Sequence, residues 1–204
     1  MTSNTTIPIF SSPICMNTFQ LDEHETELIK QEKCFFNKFS DKDGLMSVNR
    51  KILNKYPKLK NVCMTHVKSF IFDELNYKRD VNYTITTSWL NDHPPNHSAH
   101  KHSHANSMFS GVLYLDVPEN SGSIIFEKPS AYRTIEPKVN EWNVLNSRSW
   151  WIEPHKGMCI IFPSHLEHYV EVNRTQQHRY SIAFDVMVES FEIENWVVND
   201  NKSY

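Results

Sequence analysis

His100-Lys101-His102-Ser103-His104 runs through Ala105 into Asn106-Ser107-Met108-Phe109-Ser110-Gly111-Val112-Leu113-Tyr114-Leu115-Asp116. A polar segment with three histidines at period two turns here into an apolar, β-branched and aromatic run, which reads as a buried strand. Side chains at that spacing share one strand face, and neutral imidazoles gathered on one face suit iron, zinc, copper or nickel. A bare H-x-H also fits a polar loop or edge strand, so the downstream sequence has to decide. There Met158-Cys159-Ile160-Ile161-Phe162 and Pro163-Ser164-His165-Leu166-Glu167-His168-Tyr169-Val170 predict a strand, a Pro-led turn and a second strand with His168 near its start. Arg179-Tyr180-Ser181-Ile182-Ala183-Phe184 begins a further strand eleven residues after His168.

Paired histidines, a distant histidine and a basic strand residue match the layout of a mononuclear non-haem iron site that uses 2-oxoglutarate. Three protein ligands occupy one face of an octahedron. Two of the open positions take the keto acid and one takes O2. The usual ligands are two His and one carboxylate. An arginine on a later strand forks onto the distal carboxylate of the keto acid, because a guanidinium matches a carboxylate bidentately and stays charged when buried. Arg179 is placed for that task.

The segments His102-x-His104-x-Asn106-Ser107-x-x-Ser110-Gly111-Val112-x-Tyr114-Leu115, Phe162-Pro163-Ser164-x-Leu166-x-His168-x-Val170 and Arg179-x-Ser181-Ile182-x-Phe184 resemble the 2-oxoglutarate/Fe(II) oxygenases common in marine bacteria and their phages. The resemblance continues weakly upstream through Ile85-Thr86-Thr87-Ser88-Trp89-Leu90-Asn91. It implies a double-stranded β-helix related to the prolyl hydroxylases, with Fe(II), 2-oxoglutarate and O2 as its reactants. The expected metal ligands are His102, His104 and His168, and with Arg179 they form the expected catalytic set. Tyr114 sits in a Y-L-D segment similar to the Y-L-N strand whose Tyr reaches 2-oxoglutarate in prolyl hydroxylases, and Ser181 completes an Arg-x-Ser pairing that some members turn on the same carboxylate. Asn106 either hydrogen-bonds a ligand histidine or the cosubstrate, or serves a turn.

The departure from H-x-D at His104 leaves two alternatives, a three-histidine site or a carboxylate from elsewhere; the first is preferred. His97 and His100 are substitutes for either ligand. His165, three residues before His168, is read as a surface residue or one standing behind a ligand. Clustered imidazoles should repel as they protonate, so iron affinity is expected to fall between about pH 7 and 5.5.

A cupin is the rival within metalloproteins, with H-x-H, a Glu a few residues later and P-x-G-x-x-H. Pro163 to His168 keeps the second spacing, but His165 replaces the Gly and Met108 or Phe109 stands where the Glu belongs. Such a site has no need of Arg179. A non-enzymatic metal-binding jelly roll is the third alternative, separated from the first by failure to bind 2-oxoglutarate.

The remaining sequence predicts one mainly β (α+β) domain over 1–204: a helical part at 1–81, a jelly-roll core at 82–190 and a tail at 191–204. Helices are expected from Asp22 to Phe39 and from about Val62 to Tyr77, packed outside the barrel, and residues 7–16 are read as an edge strand. Trp150 and Trp151 are read as barrel core or rim. With 204 residues, 39% hydrophobic, the chain can bury a core without staples. A net charge of −3 gives no reason to expect nucleic acid. The four cysteines lack close pairing and read as reduced thiols, and no apolar run approaches a membrane span. The expected setting is the cytoplasm, or host cytoplasm for a viral protein; the expected partner is a small-molecule or peptidyl substrate, with a homodimer left open.

Overall fold

The computed structural model describes residues 5–9, 11–36, 42–129 and 138–189. Its strands are β1 (Cys15–Thr18), β2 (Cys34–Phe36), β3 (Leu45–Ser47), β4 (Tyr83–His93), β5 (Ala99–His102), β6 (Phe109–Asp116), β7 (Ile124–Glu127), β8 (Ser149–Ile152), β9 (Met158–Pro163), β10 (His168–Val170) and β11 (Arg179–Val188). Among the described residues they form a seven-stranded sheet ordered β1-β9-β6-β11-β4-β3-β2 and a four-stranded sheet ordered β5-β10-β7-β8. The strand pairings within both sheets are antiparallel. This is the expected mainly β double-stranded β-helix.

Period-two alternation explains the two cores. Phe109, Leu113 and Leu115 of β6, Cys159 and Ile161 of β9, and Ile182, Phe184 and Val186 of β11 face outward into a cluster with Leu59, Val67, Phe70 and Ile71 of the helical segment. The intervening residues Val112, Tyr114, Ile160 and Phe162 face inward, against Ile124, Phe126 and Ile152 of the smaller sheet. At Gly111 a Cβ would fall 2.2 Å from Cζ of Phe184, so the buried Phe184 ring packed over this position leaves room only for glycine.

The first helix, α1 (Glu23–Lys30), is shorter than expected. Asp22 caps it by accepting from the Glu25 N–H, and acidic residues fill its first turn. Beyond Lys30 the chain turns into β2, because Phe35 and its neighbours pair with β3 instead of extending the helix. Residues 37–41, where the helix was expected to end, lie outside the described residues. The second helix, α2 (Pro57–Ser69), starts earlier than expected, with Pro57 in its first turn, and runs on into a π-helical turn at Phe70–Glu74. The expected apolar face is present, with Val67, Phe70 and Ile71 buried.

Residues 1–81 are therefore not simply helical: β2 and β3 extend the large sheet beyond β4, and β1 pairs with β9 at its other edge. The edge strand expected at 7–16 is β1, displaced toward 15–18. Trp150 and Trp151 are exposed and stacked on β8, an edge strand, and so do not belong to the barrel core. The tail expected from 191 lies outside the described residues. All four cysteines are free, and among the described residues no helix is long and apolar enough to cross a membrane.

Candidate active site

The inner face of the large sheet is arranged in rows fixed by strand register. Asp185 of β11 pairs with Thr87 of β4 and Ser110 of β6; Ala183 with Trp89 and Val112; Ser181 with Asn91 and Tyr114; and Arg179 with His93. Trp89, Asn91, His93, Ser110, Val112, Tyr114, Arg179, Ser181 and Ala183 all line one cavity of about 340 Å³, as do His102, His104 and His168. A cavity of that size is of ligand-binding scale.

His102 ends β5 and His168 opens β10, and the two residues are register partners with ring centroids 4.4 Å apart. His104 lies just past the end of β5. Its backbone N–H donates to the Ser164 carbonyl in the Pro163–Ser164 turn, which places its ring 5.2 Å from that of His102 and 5.4 Å from that of His168. One potential donor atom from each of the three lies within 4.8 Å of the others.

Hydrogen bonds select which nitrogen each ring presents. Nδ1 of His102 lies 2.7 Å from the His100 carbonyl, Nδ1 of His168 is 3.0 Å from the Leu166 carbonyl, and Nδ1 of His104 is 2.7 Å from Oδ1 of Asp185. Those partners only accept, so each Nδ1 carries a proton and Nε2 is the nitrogen left to offer a lone pair. Burial pushes the pKa of His102 down; for His168, burial and then the neighbouring His102 lower it to about 3. A cluster of three imidazoles with Nε2 left to bind is the donor chemistry of a divalent transition metal. The low pKa of His168 also changes one expectation: this residue does not take up a proton between pH 7 and 5.5, so its protonation cannot weaken metal binding in that window.

Asp185 bears on the question raised by H-x-H. The carboxylate is present but stands behind His104, where it also accepts from Thr87 (2.8 Å) and Ser110 (3.1 Å). Burial alone would raise its pKa, but these hydrogen bonds, led by His104, hold it below the usual carboxylate value. Sequence reading missed this residue. The signal was the period-two series Arg179, Ser181, Ala183, Asp185.

His100 lines the same cavity with its ring 5.3 Å from that of His102, but the buried carboxylate of Asp43 holds its Nδ1 at 2.8 Å and it stands outside the three-histidine group. His97 lies outside the cluster with Nδ1 against the Pro95 carbonyl, and His165 is exposed as expected. Asn106 is exposed in a turn and does not line the cavity.

Arg179 is 1% exposed at the start of β11. Its Nη1 donates to the carbonyls of Ser121 and Gly122, while Nη2 is buried without a partner. Tyr114 is buried beside it, and burial pushes its hydroxyl up to about 12. Ser181 is buried one row closer to the histidines. Met46, Arg50 and Trp89 line the same cavity. Trp89 stacks on His104 with centroids 5.9 Å apart, and the Arg50 guanidinium lies 5.4 Å over the Trp89 ring.

Residues 87–185 match the family model described as "Putative 2OG-Fe(II) oxygenase". No protein of curated function matches the chain. Among solved structures, an oxidoreductase of the 2OG-Fe(II) oxygenase family from Burkholderia pseudomallei aligns with a TM-score of 0.60 at 15% identity, covering 85% of this chain and 83% of that one. A prolyl-4-hydroxylase from Pseudomonas putida aligns with a TM-score of 0.54 at 12% identity, over 86% of this chain and 93% of that one. HygX from Streptomyces hygroscopicus, solved with nickel, 2-oxoglutarate and hygromycin B, aligns with a TM-score of 0.61 at 8% identity, over 88% and 84% of the two chains. At these identities the structural likeness is one of fold. The family match runs from the middle of β4 through most of β11 and thus takes in the histidine cluster, Tyr114 and Arg179: the chain carries a 2OG-Fe(II) oxygenase domain.

Proposed function

We propose that His102, His104 and His168 hold Fe(II) through Nε2, that Arg179 anchors the distal carboxylate of 2-oxoglutarate, and that the chain oxidises a C–H bond of a small-molecule or peptidyl substrate. The observation that carries this reading is the convergence of three Nδ1-anchored imidazoles in the same cavity as a buried guanidinium with an unpartnered nitrogen. When bound, the iron supplies the redox chemistry by which R–H, 2-oxoglutarate and O2 give R–OH, succinate and CO2.

The chain's own residues bind, orient and shield. Asp185 and two backbone carbonyls fix the imidazoles in the tautomer that leaves Nε2 unprotonated. Arg179 supplies charge at the far end of the cavity, and the hydroxyls of Tyr114 and Ser181 line the space between it and the histidines. Phe126 and Phe162 pack against His168 and keep water from that side of the cluster. Met46, Arg50 and Trp89 form the substrate wall, where Arg50 offers a cation to an anionic group. No general base is required.

The cupin reading has no use for a buried arginine in the cavity. Asn106 serves its turn. The whole chain works as one unit in the cytoplasm. The test is O2 consumption and succinate formation by the Fe(II)-loaded protein: both should depend on 2-oxoglutarate and vanish in His168→Ala. Turnover without 2-oxoglutarate would overturn the reading.

A further inference from the structure

We propose that His93 donates a hydrogen bond to the distal carboxylate of 2-oxoglutarate beside Arg179, adding to the arginine's hold on it. The proposal rests on the reading of this cavity as a 2-oxoglutarate site. A guanidinium ordinarily meets a carboxylate with two parallel N–H bonds. In this chain Nη1 of Arg179 is already donating to the Ser121 and Gly122 carbonyls, so of the two terminal nitrogens only Nη2 is left. The Nε–H and Nη2 edge remains for the ligand, and a further donor beside Nη2 would strengthen the hold on the carboxylate.

His93 is the register partner of Arg179 on the adjacent strand and lines the same cavity. It is 5% exposed, and its Nδ1 is buried without a partner. Among the described residues five buried side-chain polar atoms lack a partner; three of them belong to His93, Arg179 and Ser121, the last being the residue whose carbonyl holds Arg179. Unpaired buried donors are unfavourable. A carboxylate, with two acceptor oxygens, satisfies Nη2 and Nδ1 together.

The ring is also held in place. A Cβ at Gly44 would lie 2.6 Å from Cδ2 and 2.8 Å from Nε2 of His93, so the chain passes this ring at a point where only glycine fits. Burial, then the Arg179 charge, keeps the imidazole neutral, and a neutral ring with its proton on Nδ1 is a donor there. Ser181 and Tyr114 stand one register row nearer the histidines, whereas His93 shares the row of Arg179.

The experiment measures Kd by anaerobic calorimetry on the Fe(II)-loaded protein, for 2-oxoglutarate and for 2-oxobutyrate, which lacks the distal carboxylate. His93→Phe should weaken 2-oxoglutarate roughly 10- to 150-fold, the range for a hydrogen bond to a charged group, and leave 2-oxobutyrate and Fe(II) within about twofold. His93→Gln, which retains an N–H donor and guards against a misfolded Phe variant, should recover part of the loss. In an Arg179→Ala background His93→Phe must still weaken 2-oxoglutarate; no further loss would mean that His93 only positions the arginine, and would overturn the proposal. Equal binding by wild type and His93→Phe overturns it as well while leaving the oxygenase reading intact. A wild-type protein that binds Fe(II) but neither keto acid removes that reading and the proposal together.

Discussion

The two faces of β11 are made from alternate residues of one strand, yet they do opposite work. Ile182, Phe184 and Val186 point outward into the core under α2, where each contributes by leaving water. Arg179, Ser181, Ala183 and Asp185 point inward, and three of these four are polar groups whose burial costs free energy unless they are paired. The outer face stabilises the sheet on which the inner face can hold unfavourable groups in fixed positions. Damage to one face should therefore register in stability, and damage to the other in ligand binding.

The largest effect should come from the outer face. Phe184 is fully buried, and Phe184→Ala should destabilise the protein by about 3–5 kcal/mol in denaturant unfolding. In the surviving folded fraction Fe(II) affinity should be little changed; a variant of normal stability would break the division of labour.

Next is Arg179→Ala on the inner face. Truncating a buried charged hydrogen-bond partner costs on the order of 2–5 kcal/mol, so 2-oxoglutarate should weaken roughly 30-fold to several thousand-fold by calorimetry. Arg179→Lys should recover only part, since a single ammonium does not reproduce the planar donor set. Loss of Fe(II) affinity of similar size in either variant would mean that the two ends of the cavity are not separable.

Asp185→Asn should lower Fe(II) affinity about 10- to 100-fold, the usual cost of altering the group behind a ligand histidine. His104 would lose its anionic partner while the three imidazoles remain. An unchanged affinity would show that Asp185 only fills space.

The smallest of these effects is a pH dependence of the apo protein. Folding lowers the pKa of His168 from about 6.5 to about 3. As pH falls through 6.5 the unfolded chain takes up a proton that the folded chain refuses, so stability drops until pH nears 3. For His168 alone the loss at pH 5 is about 2 kcal/mol. Unfolding measured at pH 7 and pH 5 should show that loss, and His168→Gln should remove it; equal slopes in both proteins would place the buried charge penalty elsewhere.

Local pattern made much of this legible beforehand. The strand–turn–strand around Pro163 and the start of β11 at Arg179 are short-range features, and they deliver His168 and Arg179 where expected. His100 shows where local pattern misleads: its spacing matches His102, but Asp43, 57 residues away, captures its ring. His93 and Asp185 were missed because their meaning depends on pairings between β4, β6 and β11, including a register shift beside Asp185. The strands β1 to β3 are three or four residues long with mixed polarity, too short to carry a period.

The central claim is that one cavity holds Fe(II) at one end and 2-oxoglutarate by its far carboxylate at the other. The direct measurement is an anaerobic titration followed by visible absorption. Wild type should bind one equivalent of Fe(II) and develop a charge-transfer band on adding 2-oxoglutarate, His168→Ala should bind little iron, and Arg179→Ala should bind iron normally but need far more keto acid to reach the same band. A wild-type protein that takes up Fe(II) and shows no spectral response to 2-oxoglutarate would contradict it.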